Sequence, residues 1–401
     1  MKDTEKRPKS LLINEELLKR FQKLQYQDYC TLQTLFEKYI FSLSSEDWKL
    51  IILEFENVIK RCNEINYQDY ATAIAYAIWH FLNRYHRFQI MLKDLLCKGY
   101  LNRYKNHKHD VLDVGTGPAQ TLFALSDYFS ELNILDGKIS FLLNPEYVEQ
   151  SDGFRRFLHM FVELALLKEK QYLVPFHNAK SNNAFDIPYD EINWYGRNRY
   201  YITKSRYDIV VFNNFLTSPE FTKAYKKQLR LTWKYLRNNG LLIVIGASDQ
   251  DPKYAKVYNI IRNTVLKKFN DEAFHGYCTV VEDQEFCYRY DDEIGEELRK
   301  HYERIISFLK EKPLGEKEEG VLWDLVSKDD RRRMENIIMQ TSEKTEKENW
   351  SGIKWKVVVY QKHSFYKKKA EKPDKRIYGN YCSLNDDFWR KQIEKAIISA
   401  E

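Results

Sequence analysis

The chain has little from which a membrane anchor, a disulfide scaffold or a familiar nucleophilic site could be built. No apolar run among its 401 residues approaches the roughly 20 that cross a bilayer. The opening MKDTEKRPKS carries no apolar core, so no secretory signal is expected, and its acids weigh against an organellar address. The expectation is an intracellular, most simply cytoplasmic, protein. Six cysteines (Cys30, Cys62, Cys97, Cys278, Cys287 and Cys382) lie scattered without a CxxC pair, as reduced thiols do. The formal net charge is only +6, too small to make the whole chain a polyanion binder. No internal repeat is visible, and no His/Asp or Cys/His arrangement stands out.

What is there centres on His109 to Tyr128, HDVLDVGTGPAQTLFALSDY. Val111, Leu112 and Val114 form the short apolar run of a buried parallel strand. Gly115, Thr116, Gly117 and Pro118 break it, and Leu122, Phe123, Leu125 and Phe129 then recur at helical spacing. Strand, glycine turn and helix open a nucleotide-binding α/β unit in which the glycines admit a ligand close to the backbone. A dinucleotide fingerprint requires a third glycine where this chain has Gln120. The pattern Asp113-Val114-Gly115-Thr116-Gly117-Pro118-Ala119 instead resembles motif I of the class I S-adenosylmethionine (SAM) methyltransferases. That resemblance implies SAM as cofactor, held by Asp113, Gly115, Thr116, Gly117 and Pro118.

Further segments fit alternating α/β winding. The first hundred residues read as helical, ending in a segment from Tyr70 to about Gly99 with His80, Arg84, His86 and Arg87 among aromatics, read as interface polar groups. A second strand is predicted over Ile139 to Leu143, followed by Asn144-Pro145-Glu146. An acid at the end of that strand is placed to accept hydrogen bonds from ribose hydroxyls; Glu146 is the candidate and Asn144 the alternative. A helix from Gly153 to Lys168 and a third strand near Tyr172 to Phe176 follow. The stretch from His177 to Arg206 is long enough for a loop over the site, with Asp186 and Asp190 as weaker adenine-facing candidates. YDIVVFNN, ending at Asn213 and Asn214, resembles motif IV of the same superfamily, the strand end that faces the transferable methyl. Asn213 and Asn214 are therefore the candidate catalytic residues, with Asn213 also touching the cofactor. The prolines of the Asn-Pro-Pro-aromatic motif are missing, so N-methylation of a base or of Gln is not implied. Leu241 to Gly246 reads as the fifth strand, and IKWKVVVYQK as an antiparallel last strand that separates methyltransferases from dinucleotide dehydrogenases.

The expected organisation is an N-terminal helical domain (1–105), a Rossmann-like SAM-binding domain (106–290), a charged helical insertion (291–350), a final strand (351–365) and a basic tail with an end helix (366–401). AYAIWHFLNRY, VLDVGTGPA, LLIVIGASDQDPKYAKVYNIIRNTVL, HGYCTVVEDQEFCYRY and VVVYQKHSFY occur in an order similar to the ribosomal small-subunit methyltransferase-like family of mitochondrial ribosome assembly. That family carries a four-cysteine metal constellation; this chain has only Cys278 and Cys287 with His275 nearby, so no metal is expected. Between Lys354 and Arg376 nine Lys or Arg face two acids. Tyr360, Phe365 and Tyr366 interleave with Lys367, Lys368 and Lys369, a mix suited to RNA or a ribosomal particle. Methyl transfer needs near-attack geometry and a dry site more than a dedicated acid or base. Three functions stand open: a methyltransferase acting on RNA or a ribonucleoprotein, placed first; a small-molecule methyltransferase; and a SAM-binding assembly factor without catalysis.

Overall fold

The computed structural model describes residues 15–61, 65, 67–97, 100, 108–136, 142–161, 179–181, 207–266, 269–271, 274–288, 292–342 and 353–364. The tail with Lys367, Lys368 and Lys369, most of the 177–206 stretch, and the strand expected near Tyr172 to Phe176 lie outside the described residues.

Three helices come first: α1 (Glu15–Phe41), α2 (Ser45–Arg61) and α3 (Tyr70–Cys97). Ser44 caps α2, its hydroxyl accepting from the Asp47 N–H while the Asp47 carboxylate accepts from the Ser44 N–H. The α/β part follows as β1 (Lys108–Val114), α4 (Gln120–Asp136), β2 (Leu142–Val148), α5 (Asp152–Phe161), β3 (Ala179–Ser181) and β4 (Tyr207–Asn213). It continues through α6 (Pro219–Ala224), α7 (Lys226–Tyr235), β5 (Leu236–Ala247), α8 (Pro252–Val265), β6 (Phe269–Asp271) and β7 (Phe274–Tyr288). Before the last strand, β10 (Ile353–Ser364), come α9 (Glu293–Glu311), a hairpin of β8 (Pro313–Gly315) and β9 (Glu318–Val321), and α10 (Lys328–Ser342). The insertion expected to be mostly helical thus also contains a hairpin.

The eight-stranded sheet runs β3-β2-β1-β4-β5-β10-β7-β6. β3, β2, β1, β4 and β5 are mutually parallel, and β10 inserts antiparallel between β5 and β7. Alternate residues feed two cores. Val111, Ile209, Val211, Ile243, Val357 and Val359 face α1 to α5 and α9. Leu112, Val114, Val210, Phe212, Val244 and Val358 face α6, α7 and α8. Cover on both faces explains why these strands read as unbroken apolar runs. β7 runs unbroken through the polar Glu282 to Gln284, which remain paired along β10 across a bulge.

The insertion packs on the N-terminal helices. Glu37 of α1 accepts from His301 Nδ1 at 2.8 Å and from Arg304 Nε at 2.7 Å, both on α9. Gln33 Nε2 donates to the Glu297 carbonyl at 2.9 Å, and Lys49 reaches Glu318 at 2.7 Å. These helices share one apolar core with the sheet face that carries Asp113 and the glycine turn.

Candidate active site

The carboxyl ends of β1, β2 and β4 surround a cleft of about 330 Å³. The first wall is the glycine turn. Gly115 has φ +69° and Gly117 φ +55°, left-handed conformations that suit glycine. A Cβ on Gly115 would lie 2.2 Å from Cδ2 of Phe215, so the bare backbone here makes room for a ring at the end of β4. Gly115 and Thr116 donate their N–H groups to the Val148 carbonyl, and Leu122 and Phe123 start α4 by donating to the Ala119 carbonyl. Asp113 is fully buried behind the turn, one carboxylate oxygen accepting from the Thr116 hydroxyl at 2.6 Å. Its other oxygen has no hydrogen-bond partner. Burial pushes its carboxyl up to about 7, the Thr116 hydrogen bond opposes this, and the nearby Glu149 charge adds to it. Pro118 is buried and, like Asp113 and Thr116, supports the turn without lining the cleft.

The second wall corrects the sequence reading. β2 runs on to Val148, so Glu146 is not at the strand end: it is buried within the strand opposite Leu112 and accepts from the Tyr207 hydroxyl at 2.6 Å. Pro145 invites ending the strand early, yet the parallel register with β1 runs unbroken through it, opposite Val111, and β3 pairs only further on, with Tyr147 and Val148. The acid at the strand end is Glu149, which lines the cleft. It accepts from the Gly117 N–H at 2.7 Å and the Ser151 N–H at 2.8 Å. Burial raises its pKa while backbone N–H groups of Ser151, Gly117 and Gln150 oppose the shift. Asn144, the alternative, lies earlier still in β2. A continuing apolar pair, Tyr147-Val148, before the next acid was the available signal for Glu149.

The third wall is the end of β4. Asn213 donates to Thr121 Oγ1 at 3.0 Å and accepts from the Asn214 amide at 2.8 Å. Asn214 has φ +54° and donates its N–H to the Ile245 carbonyl at 2.8 Å. Both asparagines line the cleft, so the structure brings them together with Gly115 and Gly117. Gln120, which replaces the third glycine, also lines it; the side chain is 2% exposed and its Oε1 has no hydrogen-bond partner.

The helical region forms the fourth wall through Tyr67, Tyr76 and Arg84. Gly153 fastens it: its N–H donates to the Tyr67 carbonyl at 3.2 Å, and a Cβ there would lie 2.3 Å from the Asp69 carbonyl oxygen. Arg84, expected only as an interface group, lies with its guanidinium 4.9 Å from the Tyr76 ring centroid. Unmet acceptors at Gln120 and a carboxylate at Glu149 suit a ligand bearing an ammonium and hydroxyl donors. Among the described residues no cluster of three metal-binding side chains occurs. Cys278 and Cys287 lie nine positions apart on β7, about 30 Å at roughly 3.3 Å per residue. No helix among the described residues is long and apolar enough to cross a membrane.

Five parallel strands, an antiparallel β10 between β5 and β7, and a glycine turn after β1 form the mostly parallel Rossmann-like α/β sheet that the sequence leads one to expect. No family model matches the chain, and no curated protein matches it. Solved structures with a similar fold include phosphoethanolamine N-methyltransferase 2 of Haemonchus contortus in complex with SAM, 14% identical with a TM-score of 0.40. That match covers 77% of this chain, which spans 60% of the other's length. Coclaurine N-methyltransferase bound to N-methylheliamine and S-adenosylhomocysteine (SAH) is 13% identical over 83% of this chain and 99% of that one, with a TM-score of 0.35. A cyclopropane synthase of Mycobacterium tuberculosis is 12% identical over 68% and 83%, with a TM-score of 0.33. The fold class rests on the strand order itself.

Proposed function

We propose that this chain is a SAM-dependent methyltransferase acting on a small acceptor. The observation that carries the reading is the convergence of the Gly115–Gly117 turn, Glu149 and the Asn213–Asn214 pair on one cleft at the carboxyl ends of β1, β2 and β4. Gln120 Oε1 is suited to the cofactor's ammonium and Glu149 to its ribose hydroxyls, while the buried Asp113 braces the turn. The bound cofactor supplies an electrophilic methyl on a sulfonium. The protein's part is to orient the acceptor and keep water out. Asn213, fixed by Thr121, holds the Asn214 amide at the strand end, where it can orient an amine or hydroxyl. A small acceptor is favoured over RNA because Tyr67, Tyr76 and Arg84 of the helical region wall one side of a cleft of only about 330 Å³. The RNA reading drew on Lys367, Lys368 and Lys369, which lie outside the described residues.

Calorimetric titration of SAM and SAH into wild type, Glu149→Gln and Glu146→Gln tests this. Saturable binding is expected, weakened roughly ten-fold or more in Glu149→Gln through loss of a charge-assisted hydrogen bond. Glu146→Gln should leave affinity nearly unchanged. No binding by the wild type sinks the reading. Binding followed by methylation of an RNA fraction, and of no small-molecule pool, reassigns the acceptor; binding without any turnover points to an assembly factor.

A further inference from the structure

Arg84 lines the main cleft together with Glu149, whereas a second cation, Arg87, lies only beside it. Glu149 and Gln120, both acceptors, line the main cleft but not the narrow recess that opens beside Asn213 and Asn214. That recess, about 10 Å³, lies between α3 and the carboxyl ends of β4 and β5. Arg84, Arg87 and Phe88 form its helical side; Asn213, Asn214, Ile245, Gly246 and Trp355 form the other. Among the described residues lining it none is acidic. Arg84 and the two asparagines belong to both spaces, so the recess joins the main cleft where the methyl would be transferred.

Trp355 supplies a second, independent observation. It is 3% exposed and its ring stacks on Phe286 with centroids 4.6 Å apart, yet its Nε1–H has no hydrogen-bond partner. A buried donor left unmet is costly, and Trp355 is one of the residues lining the recess. The volume corresponds to about one water-sized group. The arginines are the source of the positive charge here: burial and the Arg87 charge hold His80 at about 4 and His86 at about 3, neutral at physiological pH. Asp292, the N-cap of α9, approaches His86 Nε2 at 3.7 Å.

Resting on the methyltransferase reading, we infer that the methyl acceptor carries an anionic group, a carboxylate or a phosphate. One oxygen of that group enters the recess to meet Arg87 and the Trp355 N–H, while Arg84 holds the group from the cleft side. The acceptor's nucleophilic atom then lies toward Asn214, and its charged end is recognised before transfer. Arg84, Arg87 and Trp355 are specificity-determining residues in this arrangement.

The test is calorimetric titration of inorganic phosphate and, separately, acetate into the full chain, with and without saturating SAH, at constant ionic strength. Saturable binding of at least one anion is expected, and the better of the two identifies the charged group. Arg87→Met, which keeps the aliphatic stem, should weaken it roughly ten- to hundred-fold. Arg87→Lys should lose less, and Trp355→Phe should weaken it with SAH affinity intact. No anion binding by the wild type, or equal binding by wild type, Arg87→Met and Trp355→Phe, overturns the inference. So does a loss of SAH affinity in Arg84→Met while the other variants change nothing, because the arginine would then serve the cofactor's own carboxylate. Anion binding in a protein that fails to bind SAH leaves the anion site standing and removes the methyltransferase reading, so the two fail separately.

Discussion

Asp113 combines complete burial, one satisfied oxygen and one unsatisfied oxygen behind a turn that would face a cofactor of net charge +1 with an ammonium and a sulfonium. Its pKa moves from the ordinary 3.8 to about 7. Between those values the native protein holds a proton that the unfolded chain has lost. Stability from this group is therefore complete below about pH 4 and falls as pH rises toward 7. At about 1.4 kcal/mol per pH unit the gap corresponds to at most about 4.5 kcal/mol. Binding a cation in the cleft favours the ionised carboxylate, so the trend reverses for affinity. SAM should bind more tightly as pH rises, by up to roughly ten-fold per unit below pH 7, and level off above it. Calorimetry at pH 6 in two buffers of different ionisation enthalpy should show release of up to about one proton, falling to about half at pH 7. Glu149, also raised by burial, leaves a residual effect in Asp113→Asn, so the decisive quantity is the difference between that variant and wild type. Identical proton release in the two, or stability that does not fall between pH 4 and pH 7, would refute the reasoning.

Two further predictions address the turn and the helical cover. Gly115→Ala should cost at least roughly 1–2 kcal/mol for a left-handed alanine and abolish SAH binding, because Phe215 must leave the position its Cδ2 holds 2.2 Å from the new Cβ; thermal melts and titration measure both, and a melt equal to wild type with normal binding contradicts the geometry. Burial alone would raise the Glu37 pKa, but hydrogen bonds and charges from His301 and Arg304 outweigh it and lower the value. Its stabilisation is thus present above the ordinary carboxylate pKa and lost as pH falls through the lowered native one, and Glu37→Gln should destabilise by about 3 kcal/mol at neutral pH. Denaturant unfolding at pH 7 and pH 3 would show the mutational cost shrinking in acid; a cost independent of pH would disprove the assignment.

Some of this was legible in the residues alone because its causes are local. Asp113 to Ala119 dictates strand, left-handed turn and helix through backbone preferences, and the runs at 111–114, 207–213 and 241–246 announce strands covered on both sides. IKWKVVVYQK could be read as the last strand for the same reason. The acid at the end of β2 was harder to read: Pro145 is a local stop signal that outweighed the apolar Tyr147-Val148 beyond it, and pairing with β1 carries the strand past the proline to Val148. Nor could composition reveal that a charged segment after β7 closes on α1, since Glu37 meets His301 and Arg304 across more than 260 positions of chain. The same holds for the recess, where α3, the ends of β4 and β5 and the start of β10 contribute one to three residues each. Sequence determined where the backbone turns and which faces are apolar, because those follow from each residue and its near neighbours. Tertiary structure decided which distant polar groups meet, because burial, and the partner that makes it tolerable, exist only once the layers are packed.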